Sequence, residues 1–214
     1  MRFFIAVLLI FAMFAVFGCE SAPDTVEEPV DEVEEVEEAN DEEVEVSEPV
    51  MAAVDAPPLL DGSGEGFVSA PFQAAGADIY LAHDGEMLYV HLEAEVEGWV
   101  AVGFNTQGGG MDGANMILGY LDNGTPAYRD DAGQGRSHSE ISSPAVGDFY
   151  FSNEDGLTVM AFSYPLAFPE GEGYALDELA AGETYTMIIG THNSSHDISS
   201  PHSTRGSVNF TAEP

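Results

Sequence analysis

There is no lysine in the 214 residues, and four arginines face 39 carboxylates, for a formal net charge of −35. That imbalance excludes nucleic acid as a partner, because binding to it rests on Lys and Arg neutralising phosphates. Cysteine is almost absent too. Cys19 is the single one, so the chain holds no internal disulfide, no Cys-x-x-Cys-His haem attachment and no cysteine zinc site. No apolar run reaches the roughly 20 residues that a membrane span needs. There is also no Ser-His-Asp arrangement, no phosphate loop and no carboxylate pair in a motif context, so an enzyme acting alone is not expected.

What is present begins with Met1 and Arg2, followed by an uncharged apolar stretch over 3–17 and then Gly18-Cys19. Its length suits the hydrophobic region of a signal peptide. Val16-Phe17-Gly18-Cys19 resembles a bacterial lipobox, with Phe17 standing where a small residue is usual. The resemblance implies cleavage before Cys19, lipidation of its sulfur and an exported protein. Such a protein would be held at the cell or outer membrane, facing periplasm or exterior. Residues 20–50 carry fifteen carboxylates and no cation. So many like charges with little apolar surface predict an extended, disordered spacer. The expected organisation is therefore a signal peptide over 1–18, the lipidated cysteine and acidic linker over 19–57, and one domain over 58–214.

From residue 51 onward there are 24 carboxylates and three arginines, Arg129, Arg136 and Arg205. Such a surface suits high salt or a cationic partner. Apolar and polar residues alternate through 86–96, placing Leu88, Val90, Leu92, Ala94 and Val96 on one face. Further strands are predicted over 99–104, 115–121, 149–151, 157–164, 185–190 and 207–211. The punctuation is Asp84-Gly85, Asp122-Asn123-Gly124, Asp155-Gly156 and Gly171-Glu172-Gly173. Short strands so spaced predict an all-β fold, an antiparallel β-sandwich of immunoglobulin-like type. One short helix is expected over 176–181, and the stretch holding Arg129, Asp130, Asp131, Arg136 and His138 reads as a loop.

The run Gly98-Trp99-Val100-Ala101-Val102-Gly103-Phe104, then Met111-Asp112-Gly113-Ala114-Asn115-Met116-Ile117-Leu118-Gly119-Tyr120, resembles the DOMON domain family. His202-Ser203-Thr204-Arg205-Gly206-Ser207-Val208 resembles that family's late histidine and glycine-led final strand. The segment 158–166 resembles its strand ending in a Pro-Leu pair, with Tyr164 where an arginine is common. The resemblance spans roughly residues 59–212. It implies a non-covalent haem b whose iron is held between the sulfur of Met111 and a nitrogen of His202, with His196 as the second choice. It also implies electron transfer with a redox partner protein. The alternative is a haem-free module binding a sugar or a metal.

The residues admit plainer roles as well. Met111 could simply pack on a neighbouring strand, and Met116 reads as core. His202 could be a surface residue, or join His192 and His196 around a metal ion. Arg205 suits a haem propionate or a salt bridge to a nearby acid. Arg129 and Arg136 could bind propionate or simply sit in solvent, and they read as solvent-facing.

Overall fold

The computed structural model describes residues 49–105 and 110–214, and the account below concerns those residues. Cys19 and the acidic segment lie outside them, apart from the segment's last residues. Twelve strands form two six-stranded sheets. The first sheet contains β1 (Ala52–Ala53), β2 (Phe72–Ala74), β3 (Ala77–His83), β4 (Met87–Ala94), β9 (Phe149–Glu154) and β10 (Leu157–Pro165). They run in the order β1-β3-β4-β10-β9, with β2 paired to β3. The second sheet contains β5 (Val100–Asn105), β6 (Asn115–Asp122), β7 (Thr125–Gln134), β8 (Ser137–Glu140), β11 (Thr184–Thr191) and β12 (Thr204–Thr211). Its order is β12-β11-β5-β6-β7-β8. All pairs are antiparallel except β1 with β3.

The two sheets bury their facing sides against each other, as the alternation predicts. Leu88, Val90, Leu92 and Ala94 of β4 meet Val100, Val102 and Phe104 of β5, and Phe162, Tyr164 and Phe210 fill the same core. Each fully buried side chain of this size contributes roughly 1.5–3 kcal/mol. Met51 is fully buried and Ala52 pairs with Ala82 of β3, so the sandwich takes in residues that the sequence places in the linker.

Two expectations are corrected. Residues 176–181 form no helix: the Phe168 amide donates to Asp177 O, the Leu179 amide donates to Leu166 O, and Glu178 bridges Ala167. Backbone pairing with the exit of β10, together with burial of Leu179, overrides a weak helical preference. The Arg129-to-His138 stretch is a hairpin, not a loop. β7 and β8 pair from Asp131 with Glu140 to Gln134 with Ser137.

Candidate site on the outer face of the second sheet

The central strands β5, β6 and β11 of the second sheet bury both of their sides. Strand alternation turns Ala101, Gly103, Met116, Leu118, Ile188 and Gly190 away from the sandwich core. Trp99, Ala101, Ala114, Met116, Leu118 and Ile188 form a separate apolar cluster there, with Met111, Tyr120 and Ile198 packed against it. A cavity of about 1160 Å³ opens over this face, ample against the 300–1000 Å³ usual for ligand pockets.

Strand register builds its floor. Arg205 pairs with Gly190, Gly190 with Ala101, Ala101 with Leu118, and Leu118 with Arg129. Four strand spacings separate the two arginines, roughly 19 Å. The middle of this row is small and flat. A side chain at Gly103 would meet Ile188 and Met116 at about 3 Å, and one at Gly190 would fill space beside Trp99 and His202.

Two loops bring Met111 and His202 to the cavity wall. Met111 follows β5 and is firmly seated. Its carbonyl accepts from the Ala114 amide at 2.9 Å, the Gly113 amide donates to Gly133 O at 3.0 Å, and the Gly135 amide donates to Asp112 Oδ1 at 2.7 Å. His202 lies between β11 and β12, where the next amide, that of Ser203, donates to Thr191 O at 2.8 Å.

The six histidines are not equivalent. His83 bonds Glu213 O, His91 bonds Glu93, His138 bonds Asp131, and Nδ1 of His192 accepts from the Ser194 and Ser195 amides. His196 accepts from the Leu121 amide at 3.2 Å through Nδ1 and packs edge-on against Phe151. Burial holds the His196 pKa below its ordinary value, and the residue does not line the cavity. Among the described residues, His202 is the histidine without a side-chain hydrogen bond. The structure does not gather His192, His196 and His202 around one point, and among the described residues no cluster of three His, Cys, Asp or Glu side chains could hold a metal ion.

All three arginines of the folded part line this one cavity. Arg129 is not simply solvent-facing: it pairs with the fully buried Asp131, whose other partner is His138. Burial pushes the Asp131 carboxyl up, but the bonds from His138 and Arg129 outweigh it and hold the pKa below the usual value. Adjacent Asp130 turns inward and accepts from the Ala145 amide, Tyr164 and Tyr174. Burial dominates there and raises its pKa. Arg136 and Arg205 form no ion pair among the described residues, so the salt-bridge role for Arg205 finds no acid. Trp99 is 5% exposed, lines the cavity, and its indole N–H has no partner among the described residues.

The paired carboxylate carries a pH dependence. A depressed pKa stabilises the fold above the unfolded value near 3.9 and loses that contribution as pH falls through the folded value. Asp131→Asn should therefore cost about 1–3 kcal/mol at pH 7, below the range for a fully buried pair because Arg129 is 27% exposed. Urea melts of both proteins should converge as the pH drops below about 4. A gap that persists in acid would show that the pair contributes nothing through ionisation.

Sequence reasoning identified Met111, His202 and Arg205, and the structure sets all three on one cavity. It passed over the joint placement of the three arginines and the orphan Trp99 N–H. Neither carries a local signal, since both depend on strand register.

The cytochrome b domain of pyranose dehydrogenase from Coprinopsis cinerea superposes with a TM-score of 0.46 at 14% identity, covering 64% of this chain and 76% of that one. A family 9 carbohydrate binding module from Caldicellulosiruptor kristjanssonii, in complex with glucose, superposes with a TM-score of 0.39 at 11% identity, covering 75% and 85%. No curated protein matches the chain. The DOMON domain pattern matches residues 77–191, and with more than half of the sequence covered, this chain belongs to the DOMON domain family.

Proposed function

We propose that the protein is an exported, lipid-anchored electron carrier that holds haem b in the cavity of the second sheet. The observation that carries this reading is that Met111 and His202 line one cavity, His202 being the histidine whose ring has no hydrogen-bond partner among the described residues. The residues fit the group. A flat apolar floor suits a macrocycle, the Met111 thioether and the His202 imidazole are iron ligands of complementary softness, and Arg136 and Arg205 are free to meet carboxylates. When bound, haem supplies a reversible one-electron change at iron, and Met/His ligation raises its potential. Met111 and His202 would hold the iron, the apolar floor would exclude water, and Arg136 and Arg205 would neutralise the propionates. The anchor at Cys19 and the acidic spacer would hold the domain off the membrane within reach of a redox partner.

Haem titration of the intact chain tests this. Trp99 is the single tryptophan and lines the cavity, so its fluorescence should be largely quenched at one equivalent, as a six-coordinate low-spin absorption spectrum appears. A folded protein that takes up no stoichiometric haem would sink the reading. A sugar that binds the cavity and leaves the absorption spectrum empty would replace it with a haem-free module.

A further inference from the structure

Asn105 ends β5 and is 5% exposed. By alternation it belongs to the same outer face as Ala101 and Gly103. Its Nδ2 donates to Gly110 O at 2.9 Å and to Asp112 O at 2.8 Å. These carbonyls immediately precede and follow Met111. Both partners are acceptors, so the nitrogen of the amide must be the atom that faces them. One side chain thus uses both of its N–H groups to hold the carbonyls of the two residues on either side of Met111.

We propose that Asn105 is the positioning residue for Met111: its amide sets the backbone on both sides of the thioether so that the sulfur is presented to the cavity in one orientation before any ligand arrives. This rests on the haem reading above. Preorganisation is the physical gain. A thioether is a weak ligand on a flexible stem, and a loop free to move would lose the iron whenever it opened. Neighbouring bonds complete the clamp but act from other elements: the Ala114 amide closes onto Met111 O, and Gly133 and Gly135 tie the far side. An aspartate at 105 has the same shape but would turn an acceptor toward two carbonyls.

The test uses the full chain as wild type, Asn105→Ala, Asn105→Asp, Met111→Ala and the Asn105→Ala/Met111→Ala double variant. In the haem-loaded proteins, Asn105→Ala should shift the spectrum toward high spin and move the midpoint potential toward that of Met111→Ala. The double variant should match Met111→Ala alone in spectrum and potential, because Asn105 acts on the iron through that sulfur. In the haem-free proteins, amide exchange at Gly113 and Ala114 should quicken by roughly thirtyfold as two hydrogen bonds are lost. If Asn105→Ala does not fold, isosteric Asn105→Asp must give the same shifts. A haem-loaded Asn105 variant with wild-type spectrum and potential overturns this inference and leaves the haem reading intact. Equal shifts in the Met111→Ala background overturn it as well, since they mark a general structural role. Wild type that binds no haem overturns both.

Discussion

His202→Ala should abolish stable haem binding, whereas Met111→Ala should retain haem in a high-spin form with a lowered midpoint potential. The difference follows from the two donors. The His202 imidazole is the stronger ligand, and its ring nitrogens have no competing protein partner among the described residues. The Met111 sulfur is soft and favours reduced iron, so its loss lowers the potential more than the affinity. Absorption spectra and potentiometry on both variants check this. Two controls make it discriminating. Met116 is a second thioether on the cavity wall but is 7% exposed within the apolar cluster, so Met116→Leu should leave the spin state unchanged. His196 commits Nδ1 to the Leu121 amide and lies off the cavity, so His196→Ala should also bind haem as wild type does. A low-spin spectrum that survives Met111→Ala and vanishes in Met116→Leu would transfer the ligand role to Met116.

Gly133→Ala should be among the most damaging single-methyl changes in the protein. A Cβ at that position would stand 1.7 Å from Met111 O and 2.8 Å from its carbonyl carbon. The obstacle is backbone, which cannot rotate away as a side chain would. That backbone is also held in place, because the Gly133 amide donates to Ala114 O at 2.9 Å and Gly133 O accepts from the Gly113 amide. Either β7 separates from the Met111 loop or the loop is displaced from the cavity. Overpacking of this kind costs about 3 kcal/mol or more. For a domain of this size that lowers the melting temperature by roughly 10 °C. The haem-loaded variant should in addition resemble Met111→Ala in spin state. Gly124→Ala is the contrasting control for space: its Cβ would meet nothing within 4 Å, although its φ of 82° adds turn strain. A Gly133→Ala protein with wild-type melting and spectrum would refute the close approach of β7 to the Met111 carbonyl.

The legible part of the fold was the part written in alternation. β4 announces its core face through Leu88, Val90, Leu92 and Ala94, and β5, β6, β10 and β11 announce theirs by continuous apolar content. β7 did not, because Arg129, Asp130 and Asp131 read as solvent-loving. In the fold Asp131 is satisfied by Arg129 and His138, and Asp130 by two tyrosines and an amide. Buried charge with remote partners cannot be told from exposed charge along a single segment. The predicted helix over 176–181 failed for a related reason, since its backbone partners lie in 166–168.

Composition and local pattern by themselves determined the all-β class, the strongly acidic character and the exclusion of covalent haem through the single Cys19, whereas the candidacy of Met111, His202 and Arg205 came from the resemblance of their segments to the DOMON domain family. The first three follow from which atoms the chain possesses and from the two-residue period of a strand. Only the tertiary structure decided that Met111 and His202 share a cavity, that all three arginines of the folded part line it, that the His202 ring has no hydrogen-bond partner among the described residues, and that Asn105 holds the carbonyls of Gly110 and Asp112 on either side of Met111. Each of these depends on register between strands far apart in sequence, and register is set by packing and cross-strand pairing throughout the sandwich rather than by any one segment.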